Sequence, residues 1–204
     1  MSKSNLKVAL TGGIASGKSQ VSALLENHGC FIIDLDVIAR EVVEPGTDGL
    51  KELIENFGNS ILSNDGTLNR KYLRDQLFKK GRNRALIEQV LHPKILQKMK
   101  AAMDACTQGI VIVVVPLLVE KNLWKPFDRA ILVDCEVDNQ INRLMIRENI
   151  DQSKAEAMLL AQASRKQRLQ LNNHLPTDII GNNTKIIDLD EKVANLYQKL
   201  SSLL

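Results

Sequence analysis

Residues Gly12-Gly13-Ile14-Ala15-Ser16-Gly17-Lys18-Ser19 fit the pattern G-x-x-x-x-G-K-[ST], and their flanks give the pattern a structural meaning. Before it, Leu6-Lys7-Val8-Ala9-Leu10-Thr11 is a β-prone run. After it, Val21, Leu24, Leu25 and His28 recur at helical spacing, and Gly29 closes the run. Chance alone yields such a match in about one of a hundred chains this long. An ordinary glycine turn with an exposed lysine is the competing reading, and the strand-to-helix setting argues against it. The glycines let the backbone turn and aim N–H groups inward, where a Cβ would crowd a phosphate. The following helix adds the positive end of its dipole. Lys18 is placed to reach β- and γ-phosphates and the Ser19 hydroxyl to ligate Mg²⁺. A nucleoside triphosphate site follows.

Cys30-Phe31-Ile32-Ile33 reads as the next strand, so the chain opens as a βαβ unit with a parallel sheet implied. Ile110 to Val115 is an unbroken β-branched run, suited to a parallel strand covered on both faces. A crossover needs only about a dozen residues, so residues 36–109 form a helical insertion beside the carboxyl ends of the strands, where α/β folds bind ligands. Within it, helices are expected at Asp48 to Phe57, Arg70 to Lys80 and Arg84 to Cys106, the last broken at His92-Pro93, with a turn at Asp65-Gly66. Ala130 to Val133 and Asp178 to Ile180 are further strands. Helices at Asp138 to Glu148 and Asp151 to Asn172 lie between them, and an amphipathic helix with Val193, Leu196, Tyr197 and Leu200 on one face closes the chain. The class is α/β with helical insertions: 1–35 and 110–204 as core, 36–109 as insertion. The strand order is not readable from spacing.

Composition narrows the function classes. Twenty-seven basic against 24 acidic residues leave a net charge of +3 over 204 residues, too mild to argue for nucleic acid as the main partner. Cys30, Cys106 and Cys135 are too widely spaced for a zinc site or a disulfide framework and read as small hydrophobes. The longest apolar run, Ile110 to Val119, contains Pro116 and is too short to span a bilayer. The first residues show no basic-then-apolar signal pattern. The expectation is a soluble, cytoplasmic protein.

Outside the loop, Asp34 and Asp36 end the second strand. A carboxylate there either accepts a proton from an acceptor hydroxyl or holds metal-bound water. Equally, Asp36 suits the N-cap of a helix starting at Val37. Arg143 and Arg147 share a helix face, and Arg165 and Arg168 form a second pair; they either close over a triphosphate or sit on a solvated face with Glu148 and Asp151. His28 and His174 have no catalytic setting, and Trp124 and Phe127 suit packing. No N-K-x-D guanine signature occurs, and no acidic residue precedes Pro116 as a motor ATPase would want. A small-molecule kinase is favoured over a nucleotide-dependent switch.

Several stretches together resemble the dephospho-CoA kinase family: Leu10-Thr11-Gly12-Gly13 through Ser19; Asp34-Leu35-Asp36-Val37-Ile38-Ala39-Arg40 with Val42 to Gly46; Asp65-Gly66-Thr67-Leu68; Leu91-His92-Pro93; and Val115-Pro116 to Glu120. Gln140, Arg143 and Arg147 correspond to its lid, and Gln162 and Arg168 to the segment that follows. The resemblance implies a P-loop nucleoside-triphosphate hydrolase fold of the adenylate-kinase type. It has a five-stranded parallel sheet, a helical insertion for the CoA substrate and a lid at about 143–168. It implies transfer of the γ-phosphoryl of ATP, with Mg²⁺, to the ribose 3′-hydroxyl of dephospho-CoA. Asp36 then becomes the base, Lys18 and Arg143 the charges on the moving phosphoryl, and Arg147 a second lid arginine. Thr11, Asp34, Arg40 and His92 become substrate contacts. A monomer without nucleic-acid or membrane partners is expected. A related kinase of nucleosides or nucleoside monophosphates is the alternative. The sequence departs from the family at Leu35 and in residues 178–184, the stretch associated with adenine.

Overall fold

The computed structural model describes residues 5–78, 82–183 and 186–204; Lys79 to Gly81, at the end of one expected helix, and Thr184 lie outside them. The chain divides into two compact units, Met1–Ile33 with Ala105–Leu204, and Asp34–Asp104.

The first unit is built on five strands: β1 (Asn5–Gly12), β2 (Phe31–Asp34), β3 (Gly109–Val114), β4 (Arg129–Asp134) and β5 (Thr177–Gly181), in the order β2-β3-β1-β4-β5. β1 runs parallel to β3 from Asn5↔Gly109 to Leu10↔Val114, and to β4 from Val8↔Arg129 to Gly12↔Val133; β5 extends the sheet parallel to β4. β1 leads toward β2 on one side while β3 leads toward β4 on the other. The carboxyl ends of β1 and β3 are therefore the switch point at which such sheets bind ligands.

Alternation places Leu6, Val8 and Leu10 of β1 with Ile110, Ile112 and Val114 of β3 and Ile131 and Val133 of β4 on one face. Val21 and Leu25 of α1 (Lys18–Asn27) cover that face together with Leu189, Val193, Leu196 and Leu200 of the closing helix, α9 (Ile186–Ser201). The opposite-facing Ala9, Val111, Val113, Ala130 and Leu132 are buried too, as a parallel sheet requires. Cys30 is one of the packed hydrophobes, and burial pushes its thiol up to about 11. His28 stacks on Tyr197 and His174 on Trp124, so both imidazoles pack against rings.

Between β4 and β5 run α6 (Val137–Glu148), α7 (Gln152–Leu160), α8 (Arg165–Leu169) and a 3₁₀ turn at Gln170–Asn173. The single helix expected from Asp151 to Asn172 is thus divided. Its cause is Ser164, whose hydroxyl accepts from Gln167 N while the Gln167 side chain accepts from Ser164 N, a capping box that starts a new helix.

The second unit contains α2 (Leu35–Glu41), α3 (Asp48–Phe57), a 3₁₀ turn at Asn59–Ile61, α4 (Arg70–Phe78) and most of α5 (Arg82–Ala105). The break expected at His92-Pro93 does not occur; Pro93 lies inside α5. A proline there costs about 3 kcal/mol. Ile87 and Val90 before it and Met99 and Met103 after it are all buried, each contributing about 1.5–3 kcal/mol, so packing on both sides outweighs the lost bond. Asp65 makes the turn after Leu62 local: its Oδ1 accepts from Thr67 N at 3.0 Å and Thr67 Oγ1 at 2.7 Å.

Candidate active site

β1 delivers the chain into a loop whose backbone is left-handed at Ala15 (φ 56°) and Gly17 (φ 96°). Gly17 is the N-cap of α1, yet no side chain caps that helix and its first turn carries no acidic residue. A helix start left without a capping side chain is a ready site for an anion. Lys18 Nζ donates to the carbonyls of Gly12 at 2.8 Å and Gly13 at 2.9 Å. Ser19 is exposed on the first turn of α1, and Thr11 is buried near the end of β1.

The loop makes few bonds to itself, Ser16 N to Gly13 O among them. Side chains from remote elements hold the rest. Gln140 of α6 donates from Nε2 to Ile14 O at 2.5 Å, and Gln162, between α7 and α8, accepts from Ile14 N at 2.8 Å. Asn182, just after β5, donates from Nδ2 to Ser16 O at 2.8 Å. Arg143 reaches Asn182 O at 3.0 Å and, more loosely, Ala15 O at 3.4 Å and Ser16 O at 3.5 Å. The fit is tight. A Cβ on Gly13 would lie 2.5 Å from Gln140 Nε2 and 2.7 Å from Arg168 Nη2, and one on Gly17 only 2.0 Å from Asn182 Nδ2.

The four arginines do different things. Arg143 sits against the loop and Cys135, whose thiol burial pushes up while the guanidinium pulls it back only in part. Arg147 is exposed and pairs with Glu148 at 2.8 Å. Arg165 forks onto Asp134 and reaches Glu136 at 2.9 Å, bonds that hold it firmly charged. Arg168 is buried, which lowers its pKa, and donates to Ala163 O. Glu120 accepts from Ala163 N at 2.8 Å, so the peptides on either side of Ala163 are each held by a charged side chain. Asp178 is also spoken for. Burial alone would raise its pKa, but bonds from Arg129 and Lys199 hold its carboxyl below the ordinary range.

In the second unit, the N-cap of α2 is Asp34, whose Oδ1 accepts from Asp36 N at 2.7 Å, and the helix begins at Leu35. The expectation of Asp36 as cap of a helix starting at Val37 is corrected: a strand-end residue in extended conformation (φ −107°, ψ 119°) is the one whose carboxylate can reach back to the first turn. Asp36 is exposed in that turn. Arg40 and His92 are exposed on α2 and α5, and neither lines the pocket formed by Glu41, Thr47, Gly49, Lys94 and Lys98.

The donor set of the loop suits a polyphosphate: a helix start without side-chain cap, an ammonium at hand, and N–H groups of Ala15 and Gly17 that have no acceptor among the described residues. Among those residues no group of three or more His, Cys, Asp or Glu could hold a metal, and the Ser19 hydroxyl is exposed on the first turn of α1 beside Lys18. The sequence pattern alone singles out Arg168, as the pair of Arg165, whereas Gln140 and Gln162 come only through resemblance and with no bond to make. The resemblance places Asn182 merely in the adenine stretch. The one signal available was that Asn182 follows a strand's carboxyl end.

The family model described as dephospho-CoA kinase matches residues 6–188. The dephospho-CoA kinase of Vibrio cholerae serotype O1 is 43% identical over 193 residues, 94% of each chain. That of Vibrio parahaemolyticus is 42% identical over 195 residues, 95% of this chain and 94% of the other. Among solved structures, a dephospho-CoA kinase from Campylobacter jejuni superimposes with a TM-score of 0.73 over 97% of this chain and 98% of its own, at 22% identity, a likeness of fold. A Thermus thermophilus protein reaches a TM-score of 0.81 at 24% identity over 97% and 99%.

Proposed function

The chain belongs to the dephospho-CoA kinase family, and on that premise we propose how its residues divide the work. The protein is a transferase that moves the γ-phosphoryl of ATP to the ribose 3′-hydroxyl of dephospho-CoA, giving ADP and CoA. The observation that carries the assignment of roles is the phosphate loop: an uncapped helix start with a lysine folded over it.

The attacking 3′-oxygen forms a bond to the γ-phosphorus as the bond from that phosphorus to the β–γ bridging oxygen breaks. The hydroxyl proton passes to the Asp36 carboxylate. Capping by Asp34 supports this role, since the helix start does not need Asp36 as its N-cap. The loop N–H groups and Lys18, exchanging its carbonyl partners for phosphate oxygens, hold the triphosphate. Arg143 supplies charge from the loop's flank, and the segment at about 143–168 acts as the lid, with Arg147 as its second arginine. Thr11, Asp34, Arg40 and His92 contact the acceptor, which the helical insertion receives. The Ser19 hydroxyl would hold a Mg²⁺ ion, which would supply positive charge to the phosphate oxygens. Phosphoryl transfer rests on positioning and charge, which suits a site built from fixed donors. The same reading makes the protein a cytoplasmic monomer; no helix among the described residues is long and apolar enough to cross a membrane.

ADP release is measured with ATP, Mg²⁺ and dephospho-CoA, against a panel of nucleosides and nucleoside monophosphates. Stimulation by dephospho-CoA alone, with CoA formed in equal amount, is expected. Stimulation by a nucleoside instead would move the acceptor assignment to the alternative, and no stimulation by any acceptor would leave a switch.

A further inference from the structure

A trans peptide holds its C=O and N–H pointing in opposite directions, so whatever fixes one fixes the other. Applied along the loop, this rule separates two kinds of peptide. The Gly13–Ile14 peptide has its carbonyl on Lys18 Nζ and Ser16 N and its N–H on Gln162. The Ala15–Ser16 peptide has its N–H on Gly13 O. Both are occupied within the protein. In the Ile14–Ala15 and Ser16–Gly17 peptides only the carbonyl is held, by Gln140 Nε2 in the first and by Asn182 Nδ2, with a looser contact from Arg143 at 3.5 Å, in the second. Their N–H groups, on Ala15 and Gly17, have no acceptor among the described residues.

Both clamping side chains are buried, Gln140 to 1% and Asn182 to 4% exposure, so neither contact competes with bulk water. Their geometry is fixed from behind. Arg143 bonds the Asn182 carbonyl, and Gln140 fills the space that a Cβ on Gly13 would need. The inference rests on the nucleotide reading above and deepens it. We propose that Gln140 and Asn182 are positioning residues for the phosphates: by holding the carbonyls of Ile14 and Ser16 outward, they turn the N–H groups of Ala15 and Gly17 into the concavity of the loop as anion donors. Asn182 thereby serves the polyphosphate and not the base.

The test is calorimetric titration of the full chain with ATP, ADP and inorganic tripolyphosphate, together with steady-state kinetics. Gln140→Met keeps the volume and removes the donor; Asn182→Ala removes the second clamp; thermal melts confirm that both fold. Each variant should weaken all three ligands by the same factor, about tenfold for a lost or misdirected bond to a charged group. The KM for ATP should rise alike, while the KM for dephospho-CoA and the kcat at saturating ATP stay within about threefold. Unchanged affinities in folded variants would overturn the proposal. So would weaker ATP binding with unaltered tripolyphosphate binding, which would make the residue a base contact. A wild type that binds none of the three ligands would overturn the nucleotide reading and this inference together.

Discussion

Two glycine-bearing turns in this chain reach their shapes by opposite means. The turn at Asp65-Gly66 in the second unit is held by its own residues, with Asp65 bonding Thr67 and Ser63 N bonding Thr67 O at 2.8 Å. The loop from Gly12 to Ser19 in the first unit is held by Gln140, Gln162 and Asn182, between 126 and 166 positions away. Two helix starts of the second unit are supported just as locally. Asp34 caps α2 from two residues ahead, and Thr47 caps α3 from three residues ahead at 3.3 Å. A turn that only has to reverse the chain can be self-sufficient. A loop that has to present N–H groups to a ligand cannot spend those groups on itself, so its carbonyls must be held from elsewhere.

Four changes probe this contrast, beginning with the largest expected effect. Asp36→Asn leaves the local cap on Asp34 intact and removes the proposed base. The kcat for CoA formation should fall by on the order of 10²–10⁴ with ATP affinity preserved, and a near-normal kcat would take Asp36 out of that role. Gly13→Ala pushes a methyl group against buried Gln140 and Arg168. Denaturant unfolding should show a loss of about 1–3 kcal/mol and the KM for ATP should rise, because distant clamps are what the methyl displaces. Asp34→Ala breaks a local cap, costing about 1 kcal/mol by the same unfolding measurement. Nucleotide affinity by titration should not move; if it did, the division between local and remote support would fail.

The smallest effect is expected from Thr67→Val. The Thr67 hydroxyl and N–H hold the Asp65 carboxyl below its ordinary pKa. A depressed carboxylate stabilises the fold above its unfolded pKa, and that contribution is lost as pH falls through the folded value. Replacing Thr67 should therefore lower the Tm by no more than about 2 °C near neutrality. The gap from wild type should close below about pH 4, and kinase activity should be unaltered. A gap that widened in acid would show that the hydroxyl acts on something other than the carboxylate.

The same contrast explains what was legible in the sequence. Strands and their bounding turns are local statements: the β-branched run from Ile110 and the motif at Gly12 predict β3 and the β1–α1 junction within a residue or two. Ser164-x-x-Gln167 is also a local signal, a capping box hidden inside what reads as one long helix. Pro93 is the reverse case, a strong local breaker overruled by burial along α5 that no local pattern reports. At the site, the residues from Gly12 to Ser19 carry a motif because their spacing is fixed by the loop. Gln140, Gln162 and Asn182 carry none, since one amide side chain on each of three separate segments has no spacing to recognise. The aspartate cap lay between the two extremes, off by two residues because the helix starts directly at the strand's end.

The order in which the chain is made gives the Asn182 bond one more consequence. The Gly12–Ser19 motif leaves the ribosome well before Asn182, which follows β5 and lies 166 positions beyond Ser16. A nascent chain that has emerged through β4 holds the whole motif but lacks the donor to Ser16. If Asn182 orients the Ser16–Gly17 peptide as proposed, the loop gains that N–H donor only once the segment after β5 has been made.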